Sequence, residues 1–191
     1  MDSATGCPVL VVGGTGMLAG VVRELSRRGH PLAVLARDAT RLQEVTEAAG
    51  GRDRVHPMQV NYADAEALRP RLEATLAEVG PFCAAVLWVR TPHRRPVYAT
   101  VARCLAEEAV VVDVLGSSTR LPRDIQPEVP EPFRRPGVVY RQTVLGFADS
   151  PEGTRWLHHE EIVEGVLDTL DGPGASVVVG RLHPWEDRPA D

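Results

Sequence analysis

The sequence predicts one doubly wound α/β domain on a mostly parallel sheet of about seven strands, and three observations lead there. Short apolar runs alternate with amphipathic stretches over residues 9–179. That alternation marks βαβ units, because adjacent parallel strands need a long crossover and a helix supplies it. The 191 residues, 43% hydrophobic and 25% charged, suffice for a single core, and no internal repeat points to a solenoid. Residues 110–115 are an almost continuous apolar run, as expected of a central strand covered on both faces.

In chain order, residues 9–12 form a first strand ending at glycines. Residues 15–28 carry Leu18, Val21, Val22 and Leu25 at helical spacing, with Arg27 and Arg28 in the last turn and Gly29 as the stop. Residues 31–36 are a second strand, followed by a helix that Asp38 caps and Gly50 and Gly51 end. A third strand covers 55–60. The helix of residues 64–79 contains Pro70, which must kink it or mark its true first turn. Residues 83–89 are a fourth strand. Pro96 then opens a helix reaching about Glu108, with Val97, Val101 and Leu105 on one face. Strands five, six and seven fall at 110–115, 138–145 and 176–179, with a helix from His159 to about Leu170 before the last. Five prolines in the sixteen residues 121–136 read as an extended loop inside a single 1–191 domain. The expected strand order is 3-2-1-4-5-6-7.

Charge and composition exclude several classes. A net charge of −5 argues against nucleic acid or an anionic membrane surface as partner. No apolar run approaches the roughly 18 residues of a membrane span, and residues 1–8 lack the features of a signal peptide, so a cytoplasmic protein is expected. Cys7, Cys83 and Cys104 have no metal-ligand spacing and are expected to be thiols in a reducing compartment. All 21 basic residues are arginine. A P-loop lysine, a Schiff-base lysine and a lysine tuning a tyrosine are thereby excluded. His158 and His159 sit about 100° apart on a helix, so they do not form a metal-binding pair. His158 as cap with Glu160 and Glu161 in the first turn is a good helix start, and Trp156 and Leu157 fasten it to the core.

The first turn carries the most chemistry. Gly13, Gly16 and Ala19 match G-x-x-G-x-x-A after a strand and at the opening of a helix. A glycine reverses the chain, a second admits a pyrophosphate, and a small third residue lets helix and strand pack closely. The N–H groups around Thr15, Gly16, Met17 and Leu18 then receive the phosphates at the positive end of the helix dipole. This is the turn of a Rossmann-type dinucleotide-binding domain. Where NAD-preferring sites place a carboxylate for the ribose, the second strand ends at Arg37, whose guanidinium suits a 2′-phosphate, with Arg41 one turn on. NADP(H) is therefore the preferred cofactor, with NAD(H) still admissible. Asp38 competes for the ribose but suits a helix cap better. Asn61 and Tyr62 lie where the adenine edge would pass, Asn61 serving equally as a turn former. Trp88 and Val89 end the fourth strand over the second ribose, Trp88 serving equally as a core residue.

The run Val11-Val12-Gly13-Gly14-Thr15-Gly16-Met17-Leu18 resembles the glycine-rich turn of the short-chain dehydrogenase/reductase superfamily, especially its extended and atypical members. The stretches Tyr140-Arg141-Gln142, Gly146-Phe147, residues 155–162 and Pro184-Trp185 resemble those of small bacterial proteins labelled short-chain dehydrogenases. The resemblance implies a serine after the fifth strand, which Ser117 or Ser118 matches, and a Tyr-x-x-x-Lys pair, which nothing matches: Tyr98 is followed four residues on by Ala102. Three groups remain for moving a proton: Tyr140 with Arg141 beside it, His93 in the loop after the fourth strand, and Ser117. Each also has a plain structural reading. Gly146 and Phe147 are expected beside the nicotinamide, and the Trp185 segment suits a homodimer contact. The leading expectation is an NADP(H)-dependent oxidoreductase of atypical short-chain type, acting on a small molecule such as a carbonyl compound. The rival is a non-catalytic NADP(H)-binding redox sensor or regulator, and a smaller share falls to an isomerase. A methyltransferase is disfavoured by Arg37.

Overall fold

The computed structural model describes residues 6–116 and 128–189. Seven parallel strands form one sheet in the order β3-β2-β1-β4-β5-β6-β9. They are β1 (Val9–Val12), β2 (Leu32–Ala36), β3 (Val55–Gln59), β4 (Phe82–Leu87), β5 (Leu105–Gly116), β6 (Val138–Leu145) and β9 (Ser176–Val179). This is the expected order, with β9 as the seventh strand. The helices α1 (Ala19–Arg27), α2 (Ala39–Ala48) and α5 (His159–Asp171) cover one face. On the other face lie α3 (Ala65–Val79), α4 (Arg94–Ala102) and a 3-10 turn holding Phe133. β1, β2 and the end of β4 are buried on both faces, which is why they read as unbroken apolar runs. Among the described residues no helix is long and apolar enough to cross a membrane.

The structure corrects or adds to the expectations at four points. The helix from Pro96 ends at Ala102, and β5 begins at Leu105. Tertiary partners take the backbone there: Arg135 donates to the carbonyls of Leu105 and Ala106, and Ala109 N–H donates to Gly137. Helical spacing at Leu105 was outweighed by pairing. Pro70 lies inside α3 rather than in its first turn. It faces solvent, where the missing N–H leaves no buried carbonyl without a partner. The chain after β6 forms an unexpected antiparallel hairpin, β7 (Phe147–Ser150) with β8 (Gly153–Trp156). Finally, Cys7 and Cys83 are joined as a disulfide, and only Cys104 is a thiol. The pairing of β1 with β4 sets Val9 opposite Ala84 and so brings two distant cysteines together.

Candidate cofactor site

Residues 13–18 turn from β1 into α1, which begins at Ala19 rather than Thr15. Gly13 has φ +81°, a backbone conformation that favours glycine, and a side chain there would press on the Trp88 carbonyl, 3.0 Å from its Cβ. The close approach of turn to sheet belongs to Gly14, not to Ala19. A Cβ on Gly14 would lie 2.7 Å from Val34 and 3.2 Å from Val11. Gly16 is exposed and faces open space, as a phosphate-receiving position must. Among the described residues none accepts a hydrogen bond from the backbone N–H of Thr15, Gly16 or Met17. Those donors stand at the positive end of α1.

A cleft of about 500 Å³ opens beside this turn, at the carboxyl ends of β1 to β4. It brings together Gly13, Thr15, Gly16, Arg37, Asn61, Tyr62, Trp88 and His93, all singled out in the sequence. Arg41 and Arg90 join them; Arg90 went unmarked because an exposed arginine in a loop carries no periodic signal. Among the described residues, Arg37, Arg41 and Arg90 form no ion pair. The neighbouring Asp38 turns its carboxylate to α2, accepting from Arg41 N–H at 3.0 Å. The cleft is thus cationic in a chain of net charge −5. Asn61 accepts from Ala63 N–H at 3.1 Å, a turn-forming role. Tyr62 accepts from Arg90 N–H at 3.4 Å, and its ring centroid lies 5.9 Å from that of His93. A larger groove of about 840 Å³ between α1 and α5 shares Thr15, Gly16 and Arg41 with the cleft, the rest of its wall coming from α1 with its cap Arg28 and from α5.

The remaining predicted residues lie elsewhere. Leu18 is fully buried in the core under α1, and Met17 packs against it. Val89 is buried on the α4 face, its carbonyl accepting from Arg94. Gly146 is fitted against the Arg181 backbone, where a Cβ would stand 2.2 Å from the carbonyl oxygen. Phe147 is fully buried and carries Arg181 over its ring. The Trp185 segment folds back on its own hairpin, with Arg181 paired to Asp149 and Asp187. Ser117 and Ser118 lie outside the described residues.

Tyr140 sits in the core, 7% exposed, away from the cleft. Its hydroxyl donates to Asp113 Oδ2 at 2.8 Å and accepts from Gln142 Nε2 at 3.1 Å. Tyr98 donates to the same Asp113 oxygen at 2.6 Å. Arg141, expected beside the phenol, points to the opposite face and donates to the carbonyls of Thr169 and Leu170. Consecutive strand residues alternate in direction, so adjacency in sequence separates them. Burial and Asp113 push both phenols well above their ordinary range. Burial likewise raises the Asp113 carboxyl. Among the described residues, Asp113 Oδ1 and Gln142 Oε1 have no partner. Asp113 was visible beforehand as a lone carboxylate in an apolar run, a signal that the sequence reading passed over.

The chain superimposes on solved Rossmann-type enzymes over nearly its whole length. A short-chain dehydrogenase/reductase from Serratia marcescens matches with a TM-score of 0.65 and 17% identity, covering 91% of this chain and 97% of that one. The fold is that of the short-chain dehydrogenase/reductases. A metagenomic short-chain oxidoreductase solved with NADP matches with a TM-score of 0.66 at 16% identity, over 91% of this chain and 96% of that one. One from Brucella melitensis, described as a glucose/ribitol dehydrogenase, gives 0.72 at 10% identity, over 91% and 94%. No family model and no curated protein matches the sequence. This chain holds no lysine. It also has a β5–β6 connection whose described part, residues 128–137, holds only a 3-10 turn.

Proposed function

We propose that the chain binds NADP(H) in the cleft at the glycine turn and works as an atypical short-chain oxidoreductase on a small molecule such as a carbonyl compound. One observation carries this reading: backbone N–H groups and three arginines that have no partner among the described residues converge on one cleft at the switch point of the sheet. The residues fit the group, since Gly16 leaves room for a pyrophosphate and Arg37 lies exposed at the end of β2, while the neighbouring Asp38, also in the cleft wall, is engaged as the cap of α2. When bound, the nicotinamide supplies hydride transfer. The chain's own part is to hold the phosphates on the turn, to grip a 2′-phosphate with Arg37 and Arg41, and to wall the adenine side with Tyr62 and His93. Ser117, next in sequence after β5, is the candidate to orient a substrate oxygen.

A second reading, a non-catalytic NADP(H)-binding sensor, is favoured by the burial of Tyr140 on Asp113 and by the position of His93 beside Tyr62. Neither group is in place to exchange a proton with a substrate. Calorimetric titration with NADPH and NADH, followed by a carbonyl-substrate screen, separates the readings. Tight NADPH binding with turnover supports the oxidoreductase, and tight binding without turnover supports the sensor. No binding of either nucleotide overturns both.

A further inference from the structure

We propose that Trp88 gates the nicotinamide end of the cleft. As the chain is folded, the cleft takes the 2′-phospho-ADP-ribose portion of an NADP-type ligand, and the nicotinamide ring enters only when the indole is displaced. The proposal rests on the cofactor reading above and specifies how that site discriminates between the two parts of its ligand.

The position of the ring follows from the sheet. β1, β4 and β5 are adjacent, with Val12 opposite Leu87 and Leu87 opposite Asp113. Trp88 is the next residue after β4, held by its N–H to Val12 at 3.0 Å. Two glycines then locate the indole. A Cβ on Gly13 would stand 3.4 Å from Trp88 Cδ1, while a Cβ on Gly116 would stand 3.1 Å from Cη2. Those two atoms are at opposite ends of the indole. The ring therefore lies across the carboxyl end of β4, from the glycine turn to the end of β5, and both seats lack side chains.

A dinucleotide with its pyrophosphate on the turn extends one way toward Arg37 and the other way across β4 toward β5. The first direction is the open cleft. The second is occupied by the indole. The described lining agrees, since Trp88 bounds the cleft and neither Gly116 nor Gly146 belongs to it. Trp88 is half-buried, packed on the α1 side of the core, and among the described residues nothing accepts from its indole N–H. Packing alone holds the ring in place, so rotating it aside breaks no hydrogen bond among these residues.

The test is calorimetric titration of the wild type, Trp88→Ala and Trp88→Phe with NADPH and with 2′-phospho-ADP-ribose, alongside thermal unfolding to confirm that each variant is folded. The wild type should bind the two ligands within about threefold of each other, and Trp88→Ala should gain about tenfold or more for NADPH alone. Trp88→Phe, which keeps an apolar ring but shortens its reach, should fall between. The proposal is overturned by a wild type that prefers NADPH about tenfold, by NADPH affinity unmoved in both variants, or by weaker NADPH binding in Trp88→Ala, which would mean that the ring stacks on the nicotinamide. Failure of the cofactor reading looks different: neither ligand then binds the wild type or the variants, and the proposal falls with it.

Discussion

Arg37 and Asp38 are neighbours with opposite duties, one exposed at the end of β2 with no ion pair among the described residues and the other capping α2. If Arg37 grips a 2′-phosphate, Arg37→Ala should weaken NADPH binding about 10- to 100-fold, the worth of a charge-assisted hydrogen bond, and leave NADH unchanged. Calorimetry with both nucleotides checks it, and an equal loss for both would assign Arg37 to general attraction. Asp113 makes a separate prediction. Burial holds its carboxyl above the ordinary value of 3.8, so the folded chain keeps this proton longer than the unfolded chain does. Its contribution is full at low pH and declines as pH rises from about 4 through the folded value. Asp113→Asn cannot titrate, so urea unfolding at pH 5 and pH 8 should find the variant gaining on the wild type at the higher pH. Parallel pH dependence in the two proteins would show that Asp113 does not titrate in this way.

At the scale of elements, α5 shows how a local signal becomes a structural one. His158 N–H donates to Glu161 at 2.7 Å, and Arg155 pairs with both Glu161 oxygens at 2.7 and 3.0 Å. Arg155 first, and then the His158 N–H, hold the Glu161 carboxyl down at about 2. The group is stabilising above its unfolded value near 4.5, and that contribution is lost as pH falls toward about 2. Glu161→Gln should cost about 0.5–1 kcal/mol at pH 7, discounted for solvent screening of a partly exposed pair, with the difference narrower at pH 3. Thermal unfolding at the two pH values reads it. This helix start was legible because capping chemistry is local. The hairpin β7–β8 was not: Phe147 is held by pairing with Arg181 and Trp156, residues that the local pattern does not connect to it. The end of α4 failed for the same reason, since Arg135 and Gly137 reach back from thirty residues away to claim the backbone that helical spacing at Leu105 had promised to α4.

The molecule as a whole is tied at the amino end of its sheet by Cys7 and Cys83, 76 residues apart. Closing a loop of that length restricts the unfolded chain, so Cys83→Ser should lower stability by about 2–4 kcal/mol under oxidising conditions and make no difference once the wild type is reduced. Peptide mapping without reductant should recover the Cys7–Cys83 pair and alkylate Cys104 alone, after unfolding. Spacing in the sequence offered no hint of this bond, because only the parallel pairing of β1 with β4 makes the two residues neighbours. The same holds for Tyr98, Asp113, Tyr140 and Gln142, which come from a helix and two strands and meet only in the core.

Strand order, the glycine turn and the arginine after β2 were set by the chain's own pattern. Each depends on periodicity, on turn chemistry or on one residue's charge at a known offset from a strand, all of which act over a few residues. Which face a side chain takes, which carboxylate two phenols share, and whether an indole lines a cleft or closes it were decided by packing between distant segments. Tyr140 shows the division plainly. A strand was predicted for it and formed over the residues expected, yet pleating turned its hydroxyl away from Arg141 and onto Asp113, a partner that only the assembled sheet could supply.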